Sequence, residues 1–302
     1  MANVLGSPRR LGRIARFAVT STLARYGLEL RRVPRASATT AVQTLDPVTC
    51  EYMPALRGRA VVGLQLSDAR AFHVLGLKYD PDTHPFVRAS MAGLSATEGN
   101  IERRIHESLA DYYAGFGPAT AAEAAGLHDS DVPGLAAVPA FGWILPWSAR
   151  SVTQTLEGRE TALQQVAFEH GQKLTMADGL TPFGPVSERK LALETSRLAK
   201  LVASVKVNGF QPYSRQSPLK VTGLRSAKTY RWLVEEGQHR LAIAAALGIT
   251  DVTAMVVGVV RREDADFWPQ VVNGVFRPEG AITLFDRIWE GKPPPGTWWS
   301  RD

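Results

Sequence analysis

The sequence predicts an α/β protein of the α+β kind, a set of strands packed with helices, preceded by a mainly helical N-terminal region. Three observations carry this. The chain of 302 residues is 45% hydrophobic and 21% charged, a globular composition with enough apolar residues for a large core. From Ser187 onward, helical and extended patterns alternate within short distances. The last extended run, Met255-Val256-Val257-Gly258-Val259-Val260, is almost wholly apolar, as a buried strand is. The length allows one large domain or two ordinary ones.

The first segment, residues 1–45, reads as a basic amphipathic arm and linker. Leu11, Ile14, Ala15, Ala18 and Thr22 recur at three- and four-residue spacing with arginines between them, the pattern of a helix over 8–28. The segment holds eight arginines and one glutamate, more than the whole net charge of +6, so the rest of the chain is one charge negative. A basic helix of this kind suits an anionic membrane surface. It equally suits a solvated extension, a helix docked on the body, or a targeting segment. There is no run of about 18 apolar residues and no good secretory signal. A cytoplasmic chain, peripheral at the inner membrane surface through its arm, is the resulting expectation. The single cysteine, Cys50, excludes a disulfide within the chain and a cysteine zinc site.

Residues 46–150 form an N-terminal α/β region. Residues 59–66 read as a strand, 67–76 as a short helix capped by Ser67, and Asp80–Pro85 as a turn. Ile101, Ile105, Leu109 and Tyr112 or Tyr113 share one face of a helix over 97–115. Thr120–Gly126 is a short Ala-rich helix closed by its glycine. Residues 128–150, with Trp143 and Trp147, read as irregular, and a boundary is expected near 148–158.

Residues 151–265 carry the chemistry. A connector at Gly179–Pro185 leads to a helix over 187–208, with Ser187 as cap, Glu188 in the first turn and Asn208-Gly209 as stop. Strands are expected at 219–222 and 229–234 with a turn over 223–228, then a helix over 238–247 and a strand over 251–260. Residues 266–302 form a C-terminal helical appendage with a helix through Ala281–Ile288 and Trp298-Trp299 near its end.

Between the second of these strands and the helix stands Glu235-Glu236-Gly237-Gln238-His239-Arg240. A helix N-terminus exposes backbone N–H groups and partial positive charge. Gly237 lets a ligand approach the backbone. Arg240 can grip a phosphate or carboxylate with two parallel bonds, and His239 can donate or act as acid or base. These parts suit a phosphate. The same residues also fit a purely structural turn, with the glutamates steadying the helix start, His239 half-buried and Arg240 paired to Glu236.

The run Val234–Ile249, with Leu201–Pro212 upstream of it, resembles the motif of the ParB/sulfiredoxin-like fold, a small mixed sheet with helices. The likeness covers roughly residues 187–260 and extends, more weakly, to bacterial proteins encoded among surface-glycan genes. Members bind nucleotide phosphates at this turn: sulfiredoxin-like members use ATP, ParB-like members bind CTP, and a free-serine kinase shares the fold. The resemblance therefore implies a nucleotide ligand (ATP, ADP or CTP with Mg²⁺), with Gly237, Gln238, His239 and Arg240 as phosphate contacts. Glu235, Glu236 and His239 become the candidate catalytic groups. The turn has no cysteine, which argues against sulfiredoxin chemistry. The electrically balanced body argues against DNA as partner. Three functions follow in order: a nucleotide-dependent phosphotransferase or hydrolase, a non-catalytic nucleotide-sensing scaffold, and a ParB-like DNA-binding regulator.

Other signals are sparse. The histidines at 73, 84, 106, 128, 170 and 239 show no metal-ligand spacing. Glu169-His170 reads as an acid/base pair or, more plainly, as a helix end.

Overall fold

The computed structural model describes residues 46–52, 61–210 and 218–296. The basic arm, its helix over 8–28 and the Trp298-Trp299 pair lie outside these. The described elements run α1 (Pro47–Tyr52), β1 (Val61–Gln65), β2 (Ala69–Arg70), α2 (Pro85–Ser95), α3 (Ile101–Gly115), α4 (Ala121–Ala125), α5 (Val152–Glu169), α6 (Glu188–Asn208), β3 (Lys220–Ser226), β4 (Thr229–Glu236), α7 (Gln238–Ala246), β5 (Asp251–Arg261), α8 (Pro269–Val272) and α9 (Pro278–Glu290). Among the described residues, no helix is long and apolar enough to cross a membrane.

The five strands make one mixed sheet in the order β1-β5-β3-β4-β2. β1 runs antiparallel to β5, β5 parallel to β3, β3 antiparallel to β4, and β4 parallel to β2. The strands of residues 46–150 thus occupy both edges of a sheet whose centre comes from 151–265. One hydrophobic core joins them: Val62 and Leu64 of β1, Val221 of β3, Leu233 of β4 and Phe285 of α9 all belong to it. Helices α2, α3, α6 and α7 share that core, with α2 packed against the other three.

Locally encoded elements fall where the sequence places them. Ser187 Oγ accepts from Lys190 N–H at 3.2 Å to start α6, and Gly209 follows its end. α4 runs from the Thr120 cap to Gly126 in left-handed conformation.

Two expectations are corrected, and two helices occupy stretches given no secondary structure. Residues 67–76 are not a helix but a 3-10 turn at Leu66–Asp68, the strand β2, and a second 3-10 turn at His73–Leu75. Here Ala69 and Arg70 pair with Trp232 and Leu233, so sheet pairing overrides the local pattern. The turn expected over 223–228 shrinks to Ala227-Lys228, because Ser226 pairs directly with Thr229. Gly223 and the polar Arg225-Ser226 hide that strand from a reading by composition. α2 replaces an unassigned stretch: Pro85 opens it and His84 Nδ1 accepts from Phe86 N–H at 3.2 Å. α5 begins within the 148–158 segment and continues to Glu169. It begins with a reciprocal cap, Ser151 N–H to Gln154 Oε1 at 2.9 Å and Gln154 N–H to Ser151 Oγ at 3.2 Å. Only Leu163 and Ala167 of its residues are buried, so it carries no full apolar stripe to read.

The C-terminal helix braces the turn at His73–Leu75. Arg287 donates to the carbonyls of Val74 and Leu75. From the other side, Arg70 Nε and Nη2 reach the Ile288 and Trp289 carbonyls at 3.0 and 2.7 Å, capping α9. Gly76, in left-handed conformation at φ 62, lies so close to α9 that a Cβ would sit 2.7 Å from Ile288 Cα.

Candidate functional site

The turn Glu235–Arg240 joins β4, an interior strand, to α7. Gly237 stands at φ 98 and ψ 17, which glycine adopts without strain. A side chain there would also collide with Leu219. The first bond of α7 runs from Leu241 N–H to Gly237 O at 3.0 Å. The Gln238 and His239 amides therefore precede the intrahelical ladder, at the positive end of the helix. Gly237, Gln238, His239 and Arg240 line a cavity of about 570 Å³.

The two glutamates part company. Successive strand residues point to opposite faces, and Glu235 lines the cavity while Glu236 pairs with Lys220 Nζ at 2.6 Å and stays half-exposed. Both oxygens of Glu235 are engaged: Thr222 Oγ1 donates to Oε1 at 2.6 Å, and His73 Nε2 lies 2.8 Å from Oε2. Burial opposes ionisation of Glu235, but the His73 and Thr222 bonds outweigh it and hold the carboxyl below its ordinary range.

His73 is the residue that sequence reasoning missed. Its backbone is left-handed at φ 44, as is that of Phe72 at φ 53, a conformation that costs a non-glycine residue about 1–3 kcal/mol. The Arg287 bonds to the next two carbonyls hold this turn in place. The ring stacks on Trp143 at 5.6 Å between centroids. With Nε2 committed to Glu235, Nδ1 is the nitrogen left for proton exchange.

His239 sits deeper. Its ring packs on Phe86 at 4.6 Å, and its Nε2 lies 3.2 Å from Glu194 Oε2, an electrostatic contact whose angle falls short of hydrogen-bond geometry. Gln238 Nε2 turns back toward the Val234 carbonyl at 3.4 Å. Burial pulls the Arg240 guanidinium below its usual value, against the raising effect of nearby Glu236.

Behind His239 lies a buried polar cluster from α6. Glu194, wholly buried, accepts from Lys190 Nζ at 2.6 Å and from Thr181 Oγ1 at 3.0 Å, and Arg197 Nη1 stands 3.4 Å away. Burial alone would push the Glu194 carboxyl up. Lys190 first, then His239 and Arg197, more than offset this and hold it well below the carboxylate range. The signal was available: Lys190 and Glu194 are four apart, in helical register, within a stripe that includes Leu191 and Leu198.

A second cavity of about 510 Å³ continues past His73 and shares His73, Ala162, Thr181, Pro182 and Arg197 with the first. Its walls include Trp143, Leu145, Leu163 and Val166, and it carries Arg150, Arg159, Lys190 and Arg197 but no Asp or Glu. The guanidinium of Arg159 lies 3.5 Å from the Trp143 ring centroid, and its Nη1 donates to the Phe141 carbonyl at 2.6 Å. Burial lowers its pKa to about 9, which leaves it cationic at neutral pH.

Other candidates stay apart. His170 Nδ1 faces the Val166 carbonyl at 2.9 Å and Glu169 meets Gln165 at 3.2 Å, so this pair finishes α5. Among the described residues no three His, Cys, Asp or Glu groups come together as metal ligands. With both oxygens of Glu235 occupied, these residues do not make a metal site of their own. Comparison with known proteins returns no matching family model, no matching curated protein and no matching solved structure.

Proposed function

We propose that this protein is a nucleotide-dependent phosphotransferase of a ParB/sulfiredoxin-like kind. The polyphosphate sits on the Gly237–Arg240 turn, and His73 with Glu235 moves the proton. The observation that carries this is the Glu235–His73 pair. It stands where two cavities meet, on a backbone held in an unfavourable conformation, beside a cationic helix start. Strain of this sort clusters at working sites, and phosphoryl transfer asks mainly for positioning and charge stabilisation.

The step balances as follows. An acceptor hydroxyl oxygen forms a bond to the terminal phosphorus while the bond from that phosphorus to the bridging oxygen breaks. The nucleoside diphosphate leaves with the electron pair. The hydroxyl proton passes to His73 Nδ1, and Glu235, ionised through its bonds to His73 and Thr222, stabilises the imidazolium. Arg240 and the turn amides face the growing charge on the phosphoryl oxygens. His239 serves as a wall, fixed between Phe86 and Glu194, and Glu236 as a surface ion pair with Lys220.

Calorimetry and thermal shift against ATP, ADP, CTP and GTP with Mg²⁺ test the reading, with wild type compared to Arg240→Ala and His73→Gln. The expected result is stabilisation of wild type by a triphosphate, at least tenfold weaker binding in Arg240→Ala, and unchanged binding with lost turnover in His73→Gln. No stabilisation of wild type by any nucleotide would sink the proposal.

A further inference from the structure

The second cavity differs from the first in what it offers a ligand. Arg159 is half-buried, yet among the described residues no carboxylate pairs with it; it meets the Phe141 carbonyl and the Trp143 face. Lys190 and Arg197 on the same wall are turned to Glu194, which leaves Arg159, with Arg150 at the mouth, as the uncompensated charge. A guanidinium partly withdrawn from water without an anion carries a desolvation cost, and its planar fork matches carboxylate, phosphate or sulfonate oxygens. Around it the surface is apolar: the indole of Trp143, then Leu145, Leu163, Val166 and Leu180. A cavity of this size, apolar with a few convergent charges, has the make-up of a site for an organic molecule.

We infer that the Trp143–Arg159 cavity is a separate binding site for an amphipathic organic anion, an apolar body ending in a carboxylate or phosphate, which binds at the same time as the nucleotide. Its anionic end lies on Arg159 and Arg150, and its apolar body lies along Trp143 and the α5 side chains Leu163 and Val166. Resting on the phosphotransferase reading, a hydroxyl on this ligand that reaches the shared wall meets His73, which lines both cavities. The ligand is then the acceptor. Its presence as a binder does not depend on that role.

The test uses 1-anilinonaphthalene-8-sulfonate, an aromatic body with one fixed negative charge, and N-phenyl-1-naphthylamine, the same body without the charge. Fluorescence titration of the full chain should show one saturable site for the anion, bound at least tenfold tighter than the neutral probe. Arg159→Gln should weaken the anion at least tenfold and leave the neutral probe within twofold. Val166→Glu, which sets a negative charge in the same lining two turns further along α5 from Arg159, should weaken the anion to the same degree; it decides the matter if Arg159→Gln fails to melt cooperatively. Saturating ATP with Mg²⁺ should leave the anion's affinity within twofold.

Equal affinity for the two probes, or an anion affinity indifferent to both substitutions, would overturn the site. Competitive displacement by ATP would overturn it as a separate site, since one ligand would then span both cavities. Arg159-dependent binding of the anion in a protein that binds no nucleotide would support this site and overturn the nucleotide reading.

Discussion

The two cavities share a wall but are built from different material. The first is made by the end of an interior strand and the start of α7, backed by α2, α6 and the sheet core. Its lining joins the turn backbone to the side chains of Glu235, Gln238, His239 and Arg240, of which Glu235 is held by His73 and Thr222 and His239 stands against Glu194. The second is roofed by α5, of which only Leu163 and Ala167 are buried, and lined by a loop rich in Trp and Pro. Regions with few buried contacts open at low free energy. The tightly packed cavity suits a ligand part that never varies, such as a polyphosphate. The loosely packed one suits a partner that must enter, be held and leave.

The wall between them offers the strongest test of that contrast. Glu194→Gln leaves Lys190 buried without a counter-charge and should cost about 3–5 kcal/mol by chemical denaturation, with both ligand sites lost together. Replacing Lys190 and Glu194 together by methionine should recover most of it. The same group sets the acid limb. Its folded carboxyl titrates below the ordinary value of about 4.3, so its stabilisation is in place at neutral pH and is lost as pH falls through the depressed value. Melting temperature followed from pH 7 to pH 2 should drop less steeply in the doubly substituted protein.

Gly237→Ala asks the first cavity alone. The left-handed backbone and the Leu219 collision should together cost about 1–3 kcal/mol, and phosphate binding should fall while the naphthalene probe still binds. If both sites weaken equally, the two cavities are mechanically one. Ser151→Ala asks the second alone. Loss of the α5 cap should cost about 1 kcal/mol and appear in hydrogen exchange as faster opening confined to α5. The smallest effect is expected from Glu236→Gln. Its exposed pair with Lys220 is worth about 0–1 kcal/mol, and turnover should stay near wild type, whereas Glu235→Gln should abolish it. A Glu236→Gln protein as inactive as Glu235→Gln would break the division between the two carboxylates.

What could be read in the sequence was what is encoded over a few residues. Ser187 announces α6, Gly126 closes α4, and Gly237 marks the turn before α7, because capping and backbone conformation are local properties. The mixed α/β class followed from the same signals. Glu235 was legible as a carboxylate beside that turn. Its partner was not: His73 lies 162 positions away, in a stretch whose own pattern pointed to a helix. Only the pairing of Arg70 with Leu233 and the brace from Arg287 fix its place. Arg159 was hidden for a related reason. On a helix without an apolar stripe it looks like one more solvated charge until Trp143 is folded over it.

The brace also bears on when the protein becomes competent as it is synthesised. Arg287 is the 214th residue after His73 in order of translation. At roughly 5–20 residues per second, some 10–40 s pass between the two. Through that interval the emerging chain holds His73 and the Val74 and Leu75 carbonyls but not the Arg287 guanidinium that braces them. A nascent chain stalled before α9 should therefore lack the brace on His73 even with its central strands complete, so that on the proposed reading competence waits on α9.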